Sequence, residues 1–134
     1  MAASFPLFLI SFAIYNMIAF LTPGTSWEGT LFSIPMQSGA SWSVSAGALL
    51  LALSILFLFF EMLKATRSYT RTIVDHLLST LVFIAALVEF LLMKQAATSV
   101  FALLLLMSLV DVIGGWVVSM GSARRDIQVD HVNQ

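Results

Sequence analysis

Four runs of apolar residues, each close to the length that crosses a bilayer, constrain this chain more than any other feature of it. They cover Phe5 to Leu21, Val44 to Leu63, Ile73 to Met93 and Thr98 to Met120. A hydrocarbon core about 30 Å thick takes about 20 residues of α-helix at 1.5 Å each. The pattern predicts an all-α integral membrane protein, a four-transmembrane-helix bundle over residues 1–120. Composition agrees, with 60% of residues hydrophobic and 10% charged, far from the balance of a soluble domain.

Proline and glycine punctuate the runs. Pro6 suits the first turn of a helix, where its missing N–H has no partner to lose. Leu21-Thr22-Pro23-Gly24 stops the first run and lacks the small-residue pattern of a cleavage site, so this run reads as a retained helix. Residues 22–43 read as one long loop with Trp27 and Trp42 at headgroup level, and Pro35 argues against a central strand there. Residues 64–72 and 94–97 are short links, and 121–134 is a polar tail, expected to be mobile.

The basic residues set the orientation. Lys64, Arg67, Arg71, Arg124 and Arg125 fall on one side and Lys94 on the other. Because short cytoplasmic loops retain Lys and Arg, both termini and the 64–72 link are expected in the cytoplasm and the 22–43 loop outside. A bacterial inner (plasma) membrane is the expected location.

Several function classes fall away. No cysteine is present, which removes disulfides, thiolate zinc sites and thiol nucleophiles. Six basic residues and a net charge of -1 give no basic face for nucleic acid. His76 and His131 do not make a pair of axial haem ligands within one bundle, since His131 is in the tail. No phosphate-binding glycine loop, metal motif or nucleophile triad appears. The sequence therefore predicts no enzyme, no cofactor and no metal.

Four acids and no Lys or Arg lie within the runs: Glu61, Asp75, Glu89 and Asp111. Ionisable groups in hydrocarbon are costly and face the bundle interior, water or a partner. Glu61 and Asp75, beside His76, lie near the cytoplasmic ends, where Lys64, Arg67, Arg71 and Arg124 can reach them. Glu89 lies near the outer end and Lys94. These four are read as interfacial charges. Asp111 is nine residues from one end of its run and thirteen from the other, so it sits roughly 14 Å from the cytoplasmic boundary. Tyr15, Asn16 and Ser54 are at comparable depth, which makes Asp111, Asn16, Tyr15 and Ser54 the candidate intramembrane polar site.

Small residues mark helix contacts. Asp111, Gly115 and Ser119 share one face of the last run, and Gly47, Ser79 and Ala86 fall on similar stripes in the second and third. Such stripes let neighbouring backbones approach closely, and they define the expected packing seam. Size and helix count are similar to those of the small multidrug transporters, but the intramembrane glutamate of that family belongs to helix one, and helix one here has no acid. The expected partners are the lipid bilayer and another membrane protein or further copies of this chain. The expected function is a non-catalytic accessory or assembly subunit of a larger membrane complex. The alternative is an oligomeric small transporter or channel component using an intramembrane carboxylate.

Overall fold

A computed structural model describes the backbone of residues 5–65 and 69–132, and the side chains of all of these except 65, 69–72, 118, 119 and 122–132. The chain is mostly helical. Among the described residues the order is α1 (Phe8–Leu21), β1 (Thr30–Pro35), β2 (Ser41–Ser45), α2 (Ala46–Ala65), α3 (Tyr69–Leu92), a 3-10 turn (Lys94–Ala96) and α4 (Ser99–Val132). Three helices are long and apolar enough to cross a membrane, over Ala46–Lys64, Ile73–Leu92 and Ser99–Val117. The fourth apolar helix, α1, has 14 residues and is about 21 Å long at 1.5 Å per residue.

The helix starts are built from local hydroxyl groups. Ser45 Oγ accepts the Ala48 N–H at 3.1 Å, and Thr98 Oγ1 accepts the Phe101 N–H at 3.2 Å. Each hydroxyl thereby satisfies an amide that has no partner inside its own helix. At α1 the acceptor comes from a distant element: the Leu7 N–H donates to the Glu61 carboxylate on the last turns of α2. Lys64 Nζ, 3.5 Å from the same carboxylate, donates to the Phe5 carbonyl at 2.6 Å. The start of α1, on the side expected to be the inner one, thus hangs from the end of α2, with a carboxylate placed where the helix dipole favours negative charge.

Two regions depart from the sequence reading. Within the expected loop, β1 and β2 form an antiparallel hairpin, with Ser33 opposite Ser43, Ile34 opposite Trp42 and Pro35 opposite Ser41. Pro35 is tolerated because it ends a strand of a two-stranded sheet, where each strand is an edge. Gly39, at φ +87°, closes the turn with Met36 and Ala40. In the expected mobile tail, α4 instead runs unbroken to Val132. Residues 122–132 contain no proline or glycine, and extending a formed helix is far easier than nucleating one.

The core lies toward the outer end, where α1 ends and α4 begins. Phe8, Phe12 and Tyr15 line one face of α1 and meet Phe101 and Leu104 of α4, all buried. Tyr15 stacks on Trp27 at 4.5 Å and 6°, and meets Phe101 edge-on at 4.9 Å. The turn at Pro23-Gly24, with Gly24 at φ +98°, brings Trp27 back over the bundle. Trp27 is therefore a lid on the core, where an aromatic belt position was expected, while Trp42 is exposed.

Candidate functional site

The inner half of the bundle buries the groups that carry chemistry. Glu61 from α2, Asp75, His76 and Ser79 from α3, and Ser108 and Asp111 from α4 are each at most 7% exposed. Their spacing explains the convergence: Asp75, His76 and Ser79 occupy one turn of α3, and Ser108, Asp111 and Gly115 recur at three and four residues along α4.

Two adjacent rungs join α3 to α4. In one, the Ser79 hydroxyl lies beside the Asp111 carboxylate. In the other, one turn further in, the His76 imidazole lies directly on Gly115, where an added Cβ would fall inside the ring. The ring also stacks on Trp116 at 5.6 Å. Gly114, next in the chain, opens the opposite flank of α4 to Met62 of α2. The consecutive glycines thus admit one large side chain from each neighbouring helix. The sequence reading found Gly115 by its spacing from Asp111 and missed Gly114, whose signal was the Gly-Gly pair itself.

The acids of this region lie within electrostatic reach of one another. Glu61 senses both Asp111 and Asp75, and Asp75 neighbours His76. Glu61 is anchored by Leu7 and Lys64 as described above. His76 Nε2 is buried without a hydrogen-bond partner. Among the described residues, no group of three or more His, Cys, Asp or Glu is arranged to hold a metal ion. Arg67 lies outside the described residues, as do the side chains of Arg71 and Arg124.

The expected polar site does not come together. Asp111 lies beside Ser79, whereas Asn16 Nδ2 donates to Glu89 Oε2 at 3.1 Å near the outer end. Tyr15 donates to the Gln95 carbonyl at 2.7 Å, and with its one proton used there it accepts from Thr98 Oγ1 at 2.7 Å. Ser54 donates to the Leu50 carbonyl at 2.7 Å and lies 2.8 Å from Ser11 Oγ across the α1–α2 contact. Four residues expected in one site therefore serve four separate contacts. Glu89, expected near Lys94, is joined to no base among the described residues.

Of the seam residues, Gly47 sits where a Cβ would lie 2.6 Å from Val100 Cγ2 and 2.9 Å from the Trp27 carbonyl, and its N–H donates to that carbonyl at 3.0 Å. Ser79 and Ala86 are buried on α3. The side chain of Ser119 lies outside the described residues.

No family model, curated protein or solved structure matches the chain.

Proposed function

We propose that this is a non-catalytic membrane subunit with four spans and both termini in the cytoplasm, which serves the assembly or stability of a larger complex in a bacterial inner membrane. The observation that carries this reading is how the buried acids and hydroxyls are used. Glu61 holds the start of α1, Asp111 lies against Ser79 of α3, and Tyr15 and Ser54 each bond across a helix contact. Side chains committed to joining helices leave little for a reaction. The outer half adds a plug of stacked rings from Tyr15, Trp27 and Phe101, which favours a closed bundle over a pore through one chain.

The fourth span is supported by the way α1 is pinned at two levels, through Leu7 to the inner end of α2 and through Tyr15 to the link before α4. The exterior suits lipid or a partner, since 22%, 22% and 33% of the three long apolar stretches are buried within the chain. With 34 residues, α4 is about 51 Å long, beyond a core of about 30 Å. Its inner end offers a partner a helix outside the membrane.

One observation favours the oligomeric transporter instead: the unpartnered Nε2 of His76 stands among buried carboxylates. Solubilisation in a mild detergent separates the readings. The subunit reading expects the 14.7 kDa chain to co-migrate with one different membrane protein in fixed ratio. Migration as copies of itself alone, in every mild detergent tried, contradicts it.

A further inference from the structure

The lipid-facing side of the molecule has one feature that the subunit reading does not use. Between α1 and α3 a groove of about 330 Å³ opens toward the hydrocarbon. Its floor is Phe12, Val82 and Ala86, with Leu9, Ala13, Leu81 and Ala85 along the exposed rim, and its end nearer the headgroups is the Asn16–Glu89 pair. Glu89 is three residues from the end of α3 at Leu92, roughly 5 Å along the axis, and Leu81 is about 12 Å deeper than Glu89 by the same rise. The groove is thus polar at the membrane surface and apolar toward the midplane, the polarity of a lipid in the adjacent leaflet.

The polar end lacks donors. Asn16 spends a donor on Glu89, its own Oδ1 is buried without a partner, and among the described residues no base reaches the Glu89 carboxylate. The missing group is a cation with N–H donors attached to an apolar chain.

We propose that the α1–α3 groove binds an aminophospholipid, with its primary ammonium donating to the Glu89 carboxylate and an acyl chain lying between Phe12 and Val82. A quaternary choline head carries charge without N–H groups and can make no hydrogen bond to Glu89. The inference rests on the membrane reading of α1 and α3 and is independent of the subunit role.

Native mass spectrometry of the full chain, released from micelles containing phosphatidylethanolamine or phosphatidylcholine with identical acyl chains, tests it. Charge-assisted hydrogen bonds contribute enough that the ethanolamine lipid should be retained about tenfold more than the choline lipid. Glu89→Gln, which still accepts from Asn16 Nδ2, should erase that preference. Ala85→Phe, at an exposed rim position, should fill the groove and lower retention of the ethanolamine lipid to the choline level. Equal retention of the two lipids by the wild-type chain overturns the proposal, as does a preference that survives either substitution. Should Glu89→Gln fail to fold, Ala85→Phe decides alone.

Discussion

The two halves of this bundle hold their helices together by different means. Toward the outer end, α1 and α4 meet through rings: Tyr15 lies flat on Trp27, and Phe101 meets Tyr15, Phe12 and Phe90. Hydroxyls at Tyr15 and Thr98 tie off the polar groups in a short ladder. Toward the inner end, α3 and α4 meet with a carboxylate beside a hydroxyl and an imidazole on a glycine, and α1 hangs from a carboxylate. Lipid tails are as apolar as leucine, so neither half gains from hiding apolar surface between helices, and both depend on fit and on satisfied polar groups. The lesson is that the ring-packed half should give way gradually when trimmed, whereas the clamped half should fail where one atom is added and loosen only locally where one acceptor is removed.

The largest effect is expected at a glycine of the clamped half. Gly115→Ala places a methyl in the space of the His76 ring, while at Gly121 nothing lies within 4 Å of the same methyl. Overpacking should lower stability by about 3 kcal/mol in the first case, and the second should be neutral or gain up to about 1 kcal/mol from helix propensity. Thermal unfolding of both variants in one detergent checks this, and equal midpoints would remove the imidazole–glycine rung.

Trp27→Ala tests the ring-packed half. It deletes the partner stacked on Tyr15 and opens the lid over the core, for an expected loss of about 2 to 3 kcal/mol. The bundle should still fold, with Tyr15 fluorescence and near-ultraviolet dichroism reporting a loosened outer end.

The Glu61 pair of substitutions is expected to act least. Glu61→Gln keeps an acceptor for the Leu7 N–H and weakens only the 3.5 Å pairing with Lys64, a change of about 0.5 to 1 kcal/mol. Glu61→Leu strands that amide and should cost about 2 kcal/mol. Hydrogen exchange at the first turn of α1 distinguishes them: exchange should quicken in Glu61→Leu and stay near wild type in Glu61→Gln.

The sequence exposes some of this architecture and hides the rest for definite reasons. Hydropathy locates α2 at 44–63 and α3 at 73–93, against observed bounds of Ala46–Ala65 and Tyr69–Leu92. Polar residues such as Thr70 and Arg71 carry no hydropathy signal, so the extra first turn of α3 was invisible. The depth argument that grouped Asp111 with Asn16 and Tyr15 assumes helices with flush, parallel ends. An error of one turn, about 5.4 Å, exchanges one set of partners for another, and α1 is a short helix hung from α2. The hairpin at residues 30–45 was hidden because its strands are short, serine-rich and lightly buried, so no alternation of apolar and polar residues marks them. Small residues at Gly47 and Gly115 were legible as contacts, but which side chain each glycine admits depends on the rotation of the neighbouring helix, and spacing within one helix carries no record of that.

The central claim is that the buried acids of the inner half are clamps between helices, with no part in moving ions. Proton flux into sealed vesicles reconstituted with the purified chain alone tests it most directly, comparing wild type with Asp111→Asn under an imposed membrane potential. Asparagine keeps an acceptor for Ser79 at nearly the same volume and removes the titratable carboxylate. The account predicts that both proteins leave the flux at the level of protein-free vesicles. A wild-type flux well above that level, abolished in Asp111→Asn while the variant retains its helicity and thermal midpoint, would contradict it and make Asp111 a transport residue.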